Sequence, residues 1–117
     1  MRLEIKEADF CVPASNDIVA AFGCDLEVDD EFFVETYTFR DELGQPARIW
    51  LGTVDRTFSM AIGEEASEAF RITNGRLNHL SIDEDRQLIS IGLGERELNL
   101  TLNLYVWPRV KVDLLFG

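Results

Sequence analysis

The amino-acid sequence predicts a mainly β fold: an antiparallel β-sandwich or a curved, partly closed sheet, with one short N-terminal helix. Three observations lead to this prediction. Side-chain character alternates at period two along most of the chain, which points one row of residues to each face of a sheet. Short polar breaks separate these segments and leave no room for the crossover helices that parallel strands need. One segment alone has helical character, so the count is about eight or nine strands and one helix.

The elements follow in order along the chain. A helix of about two turns is predicted after Pro13, with apolar faces from residues 18–22 and Gly23 as its C-terminal stop. Residues 98–104 make the clearest strand, because four leucines fall on one face and three small polar residues on the other. The pattern leaves open whether residues 25–31 form a strand or a loop. The other predicted strands are residues 32–39, 47–54, 57–62, 69–73, 76–82, 87–93 and 110–116, and residues 2–6 would add one more.

Polar breaks predict the turns. Asn74 and Gly75 lie between two apolar segments and both tolerate positive φ, so we expect a tight hairpin there. Asp55 and Arg56 predict a second tight connection, and longer loops are expected at residues 41–46 and 83–86. Residues 63–68 predict a loop or a single helical turn. These short connections favour a meander, in which each strand pairs with the next.

Length and composition predict one globular domain covering residues 1–117. The chain is 46% hydrophobic and 10% aromatic, which is ordinary for a protein with a core and argues against disorder. Cys11 and Cys24 form no CxxC motif, so free, buried thiols are expected, although the spacing does not exclude that they pair. The N-terminus lacks the apolar core of a secretory signal, and no apolar run has membrane-spanning length. We therefore expect a cytoplasmic protein.

Negative charge is concentrated in the first third of the chain. The formal net charge is -11, and residues 1–42 hold twelve acidic against three basic residues, whereas the remainder holds ten against eight. Such a segregated charge either keeps the domain soluble or meets a positively charged partner. Nucleic acid is a disfavoured partner, because phosphate contacts need a basic face. The favoured function is a binding inhibitor that lays an acidic region against a basic protein, such as a nuclease.

The densest acids lie beside several aromatic side chains. Charge complementarity accelerates encounter and selects the partner, while aromatic side chains supply buried anchors. This combination predicts a partner-binding surface. Its candidate residues are Asp25, Glu27, Asp29, Asp30, Glu31, Phe32, Phe33, Glu35 and Tyr37.

Two alternatives remain open. A small ligand or carbohydrate could bind a barrel mouth or groove lined by Trp50, His79, Tyr105 and Trp107. The domain could also associate with itself through an edge strand at residues 110–116.

No motif for catalysis, a cofactor or a metal is present. His79 is the sole histidine, which removes multi-histidine metal sites and makes any histidine-dependent catalytic triad rest on one imidazole. Alternation predicts an ordinary strand position for it. The sequence therefore predicts a protein that is not an enzyme and needs no cofactor.

The layout of the chain resembles the small all-β immunity proteins of bacterial polymorphic toxin systems. The resemblance consists of a short helix at residues 17–22, an acidic segment after it, and strands that continue through residues 76–82 to the end. It contains no diagnostic motif, so no functional residue is carried over. What the resemblance implies is stoichiometric binding and neutralisation of a cognate toxin domain without catalysis.

Overall fold

One helix and eight strands make up the part of the fold that the structure describes. The structure, a computed structural model, describes residues 13–64, 67–95 and 98–116. The predicted N-terminal strand at residues 2–6 and Cys11 lie outside these residues. Within them, no helix is both long and apolar enough to cross a bilayer. The elements are α1 (Ser15–Phe22), β1 (Asp25–Asp29), β2 (Val34–Arg40), β3 (Pro46–Gly52), β4 (Thr57–Ile62), β5 (Phe70–Asp83), β6 (Leu88–Glu95), β7 (Leu98–Tyr105) and β8 (Lys111–Phe116).

The strands form one antiparallel sheet in chain order, from β1 to β8. Each strand pairs with its chain neighbour, as the short connections predict. β1 and β8 lie at the two ends of this order, so the sheet is open rather than a closed barrel. The mainly β, antiparallel prediction is confirmed, and the open sheet agrees with the curved alternative. Residues 25–31, left open by the sequence, divide into β1 and the start of a turn.

The predicted helix is also confirmed. It begins at Ser15 and ends before Gly23, which has a φ of 63° and donates its backbone N–H to the carbonyl of Val19 at 2.7 Å. Positive φ at this position is easily adopted by glycine, so the sequence stops the helix where the chain must turn into β1.

The predicted hairpin at Asn74 and Gly75 is wrong. These residues lie inside β5, a continuous strand of 14 residues. The register with β4 shifts by one residue here, since Met60 is opposite Ile72 but Phe58 is opposite Gly75. The chain therefore makes a bulge rather than a reversal. From Leu77 onward β5 pairs with β6, so β5 joins two halves of the sheet, β1–β4 and β6–β8. Its pairing with both neighbouring strands prevails over the local turn preference of Asn74 and Gly75.

A second irregularity lies farther along β5. Leu77 is opposite Leu93 but His79 is opposite Gly92, so β5 again has one extra residue. A Cβ atom added at Gly92 would overlap the His79 ring. The glycine therefore gives the imidazole room beside β6.

The core lies on one face of the curved sheet, beneath α1. One buried cluster contains Ile18 of the helix and alternate residues from both halves of the sheet, including Ile49, Phe58 and Leu102. Because side chains from both halves meet in a single cluster, the sheet must curve around them. The core rings of Phe22 and Phe39 meet edge to face, with centroids 5.8 Å apart.

A buried carboxylate joins two distant loops. Asp41 is 8% exposed. Its Oδ1 accepts hydrogen bonds from the backbone N–H groups of Leu43 and Gln45, and its Oδ2 accepts one from Val110, each at 2.9 Å. Burial raises the pKa of Asp41, but these hydrogen bonds and the charge of Arg109 outweigh it and hold the pKa below its ordinary value. The β2–β3 loop is thereby fastened to the segment that precedes β8.

Candidate partner-binding surface

β1 presents acidic side chains along an edge of the sheet. Asp25, Glu27 and Asp29 share one face because side chains alternate along a strand, and all three are exposed. Asp30 and Glu31 continue the acidic run into the turn before β2 and are exposed as well. An open depression of about 600 Å³ lies beside them, lined in part by Glu27, Asp29 and Thr36 of β2. The predicted acidic residues are therefore on the surface and close together.

The turn after β1 is fixed by a side chain. Asp29 Oδ1 accepts hydrogen bonds from the backbone N–H groups of Glu31 at 3.0 Å and Phe32 at 3.1 Å. Asp, Asn and Ser residues stabilise turns in this way. The turn holds Phe32 and Phe33 with 69% and 54% of their surface exposed. Phe33 has a φ of 56°, a conformation that bulky residues rarely adopt.

A second turn lies against the first. Thr53 donates both its backbone N–H, at 2.9 Å, and its hydroxyl, at 3.1 Å, to the carbonyl of Phe33. Val54, next along this second turn, is 70% exposed, and Val28 of β1 is 56% exposed. We call Val28, Phe32, Phe33 and Val54 the apolar end of the sheet. The sequence placed Val54 inside a strand, and it gave no signal that two turns meet here.

The ion pairs among the described residues lie away from the acidic run. They join Arg40 to Glu64, Arg86 to Asp83, and both Arg48 and Arg71 to Glu68. None of these pairs involves an acid from Asp25 to Glu31. Within residues 13–64, 67–95 and 98–116, these ion pairs therefore leave the acids from Asp25 to Glu31 without a basic partner.

Two of the predicted contact residues lie deeper. Tyr37 is 1% exposed, because its position in β2 turns the ring into the core. Its hydroxyl donates to Glu35 Oε1 at 2.7 Å. Burial raises the pKa of Tyr37, and this hydrogen bond raises it further, so the phenol stays protonated. The placement of Tyr37 on the contact surface is therefore corrected: it supports half-buried Glu35 from within.

Trp50 lies on the outer face of β3, between two arginines. Its chain neighbours Ile49 and Leu51 are buried in the core, so alternation turns Trp50 to the opposite side. The guanidinium carbons of Arg48 and Arg71 each lie 5.7 Å from its ring centroid. Trp50 therefore lies in a cluster of cation–π contacts.

The other three residues of the ligand alternative lie elsewhere. His79 is exposed on β5, and the ring of Tyr105 on β7 faces the Lys111 ammonium at 5.4 Å. Trp107 lines a cavity near the end of α1. Of the three cavities described in residues 13–64, 67–95 and 98–116, none holds more than one of these four side chains. The structure does not bring them together in one of these cavities.

Cys24 is a half-buried thiol between α1 and β1. It packs against the core, and burial raises its pKa to about 11. At neutral pH it is therefore a protonated thiol and a poor nucleophile. The part of the chain that the structure describes holds no group of three or more side chains arranged to bind a metal ion.

Comparison with known proteins gives a match of fold. No protein-family model matches the chain, and no curated protein matches it significantly. A chain of a solved structure does match, with a TM-score of 0.77 over 93% of this chain and 98% of that chain, at 13% sequence identity. That structure is described as a contact-dependent growth inhibition toxin–immunity protein complex from Klebsiella pneumoniae 342.

The fold is that of a chain in a toxin–immunity complex. The resemblance inferred from the layout of helix, acidic segment and strands is thereby confirmed at the level of fold. At 13% identity, contact residues do not transfer from that complex. The surface of this chain must therefore be judged from its own side chains.

Proposed function

We propose that this chain is a non-catalytic inhibitor of the immunity type, which binds a toxin protein and neutralises it. The observation that carries the proposal is the apolar end of the sheet, exposed beside the acids of β1. Several exposed apolar side chains in one region of a surface commonly mark an interaction site. Aromatic side chains surrounded by polar or charged residues commonly contribute most of the binding energy of an interface.

The charge supports a basic partner surface. Acids from Asp25 to Glu31 steer a positively charged protein toward this edge, which raises the association rate more than the final affinity. The apolar end then supplies the buried contact. A toxin that acts on nucleic acid carries the required basic surface, and covering it would block the substrate.

The charge also favours one role within a toxin–immunity pair. The matched complex contains both a toxin and an immunity protein, and the fold alone does not choose between them. A net charge of -11 disfavours binding to phosphate groups but favours binding to a basic protein surface. We assign this chain the neutralising role.

The test is affinity capture from the native host, followed by a growth assay. We expect one basic protein to be retained stoichiometrically, to arrest growth when expressed alone, and to be harmless when co-expressed with this chain. Expressed alone, this chain should leave growth unaffected. Growth arrest by this chain itself, or a captured protein that it does not neutralise, would contradict the proposal.

A charge-reversed variant locates the surface. Asp25→Lys, Glu27→Lys and Asp30→Lys together should abolish capture, whereas Asp29 is left in place because it fixes the turn. The matched control reverses three exposed acids elsewhere, Glu84, Asp85 and Asp113, and should capture normally. Equal loss in both variants would show that total charge, not this edge, decides binding.

A further inference from the structure

A small cavity lies where α1 ends. Its volume is about 220 Å³, and it is bordered by the end of the helix, the start of β1, the end of β2, Gln87 and the segment after β7. Sites for small molecules usually measure about 300–1,000 Å³. This cavity is smaller, and its size suits a single side chain of a partner protein. The lining residues that matter are Phe22, Asp25, Phe39, Arg40, Gln87 and Trp107.

Aromatic rings form much of the wall. Phe22, Phe39 and Trp107 all line it; the first two rings pack edge to face, and Trp107 has 49% of its surface exposed. Aromatic faces attract cations, and tryptophan does so most strongly. A half-exposed tryptophan in the lining of a cavity is thus suited to stacking on a guanidinium group.

Negative potential reinforces this preference. Asp25 is one of the lining residues, and the C-terminus of α1 carries the partial negative charge of the helix dipole. Arg40 also lines the cavity; its Nη1 donates to the carbonyl of Gly44 at 3.0 Å and lies 3.8 Å from Glu64, whose carboxylate partly offsets its charge. The Gln87 amide is occupied as well, because its Nε2 donates to the carbonyl of Ala21 at 3.0 Å.

We propose that this cavity receives an arginine side chain of the partner. Arginine combines a planar cation that stacks on aromatic rings with a fork of donors that matches a carboxylate. Asp25 belongs both to the cavity and to the acidic face of β1, so the cavity continues the proposed contact surface. The inference rests on the proposed function, because it takes the occupant from a protein partner.

The test uses the isolated protein and a model of the side chain. The ¹⁵N-labelled chain is titrated with N-acetyl-arginine amide and, separately, with its uncharged isostere N-acetyl-citrulline amide. We expect saturable shifts of the Trp107 indole and of the Gly23 and Gln87 amides with the arginine compound, with a dissociation constant of roughly 1–10 mM. Citrulline should produce none at the same concentration. Trp107→Phe assigns the indole signal.

Variants distinguish binding of the arginine compound in the cavity from general electrostatic attraction to an acidic protein. Trp107→Ala should weaken binding about three- to fivefold through the lost stacking, and Asp25→Asn about two- to fivefold. Asp113→Asn removes an exposed acid that lies outside both the cavity and the proposed contact surface, and it should leave the affinity unchanged. Absence of saturable shifts, equal shifts with citrulline, or equal affinity in Trp107→Ala would overturn the proposal. Melting temperatures confirm that each variant is folded.

The two proposals fail differently. A failed titration removes the arginine assignment and leaves neutralisation of a toxin intact, because the titration involves no partner. A failed capture removes the neutralising role, while the titration still reports the chemistry of the cavity.

Discussion

Phe33 holds a conformation that costs stability. Left-handed backbone disfavours an L side chain by roughly 1–2 kcal/mol, yet an exposed phenylalanine occupies it. The carbonyl of Phe33 is held by Thr53, which explains how the conformation persists. Strain of this kind gathers at functional sites. A role for Phe33 in partner contact would explain why this backbone strain is retained.

Phe33→Gly should therefore raise stability while weakening binding. We expect the free energy of unfolding to rise by about 0.5–1 kcal/mol, after allowing for the chain entropy of glycine. Phe32→Gly is the matched control: Phe32 is similarly exposed but its φ is not positive, so glycine should destabilise by about 0.5–1 kcal/mol. Urea unfolding measures both. Equal effects would show that Phe33 is not strained.

Asp41 should make stability depend on pH. Asn at this position offers one acceptor oxygen where the carboxylate uses two, so a buried N–H loses its partner. We expect Asp41→Asn to lower the free energy of unfolding by about 1–3 kcal/mol at pH 7. Asp113→Asn, on an exposed strand position, should change little.

The pH dependence of this effect has a definite sign. Because the folded pKa of Asp41 lies below its ordinary value of 3.8, the stabilisation is complete above that value. It is lost as the pH falls through the folded pKa. Urea unfolding of wild type and Asp41→Asn from pH 7 to pH 2.5 should show the difference shrinking with acid. A constant difference would mean that the charge of Asp41 is not involved.

At the scale of elements, β5 is the strand that joins the two halves of the sheet. Its first part pairs with β4 and its second part with β6, with a bulge in each pairing. The second bulge sets His79 against Gly92. Glycine is required at position 92 because of close packing between β5 and β6, and not because the chain turns at this position.

A double-mutant cycle tests this packing. Gly92→Ala should lower the free energy of unfolding by about 1 kcal/mol, because the new methyl group meets the imidazole. In a His79→Ala background the same change should instead stabilise by about 0.5 kcal/mol, since alanine loses less entropy than glycine in a strand. Urea unfolding of the four proteins gives the coupling. Additive effects would mean that the two residues do not compete for space.

The elements that could be predicted are those specified by local pattern. β4 has the predicted bounds of residues 57–62, and α1 ends before Gly23 as its sequence indicates. The hairpin predicted at Asn74 and Gly75 is wrong because turn propensity is a local property. The continuity of β5 instead depends on its pairing with two other strands. Exposure of the acids followed from charge, but the burial of Tyr37 depends on which face of β2 meets the core. The cavity at Trp107 is made from segments far apart in sequence and leaves no local signal.

On the scale of the whole molecule, like charges repel. A net charge of -11 on 117 residues favours a more expanded chain, and the acids of β1 and its turn are the densest source. Natural proteins retain such costs where function requires them. Here the retained charge is what would attract the partner.

Salt should therefore stabilise the free protein. Raising NaCl from 10 mM to 100 mM shortens the screening length from about 30 Å to about 10 Å, and we expect the melting temperature to rise by roughly 2–6 °C. The variant Asp25→Asn, Glu27→Gln, Asp30→Asn should melt higher at low salt and respond less. Calorimetry at both concentrations measures this. A salt response unchanged by the substitutions would place the repulsion elsewhere.

The chain-order pairing of the strands also bears on how soon the protein becomes active after synthesis. Each strand pairs with the one made just before it, so the sheet can grow as the chain leaves the ribosome, at about 5–20 residues per second. β1 and its acids are made before Trp107, which completes the cavity. A nascent chain would thus be able to attract a basic protein before it can hold an arginine, and the time taken to translate the intervening strands would separate encounter from tight binding.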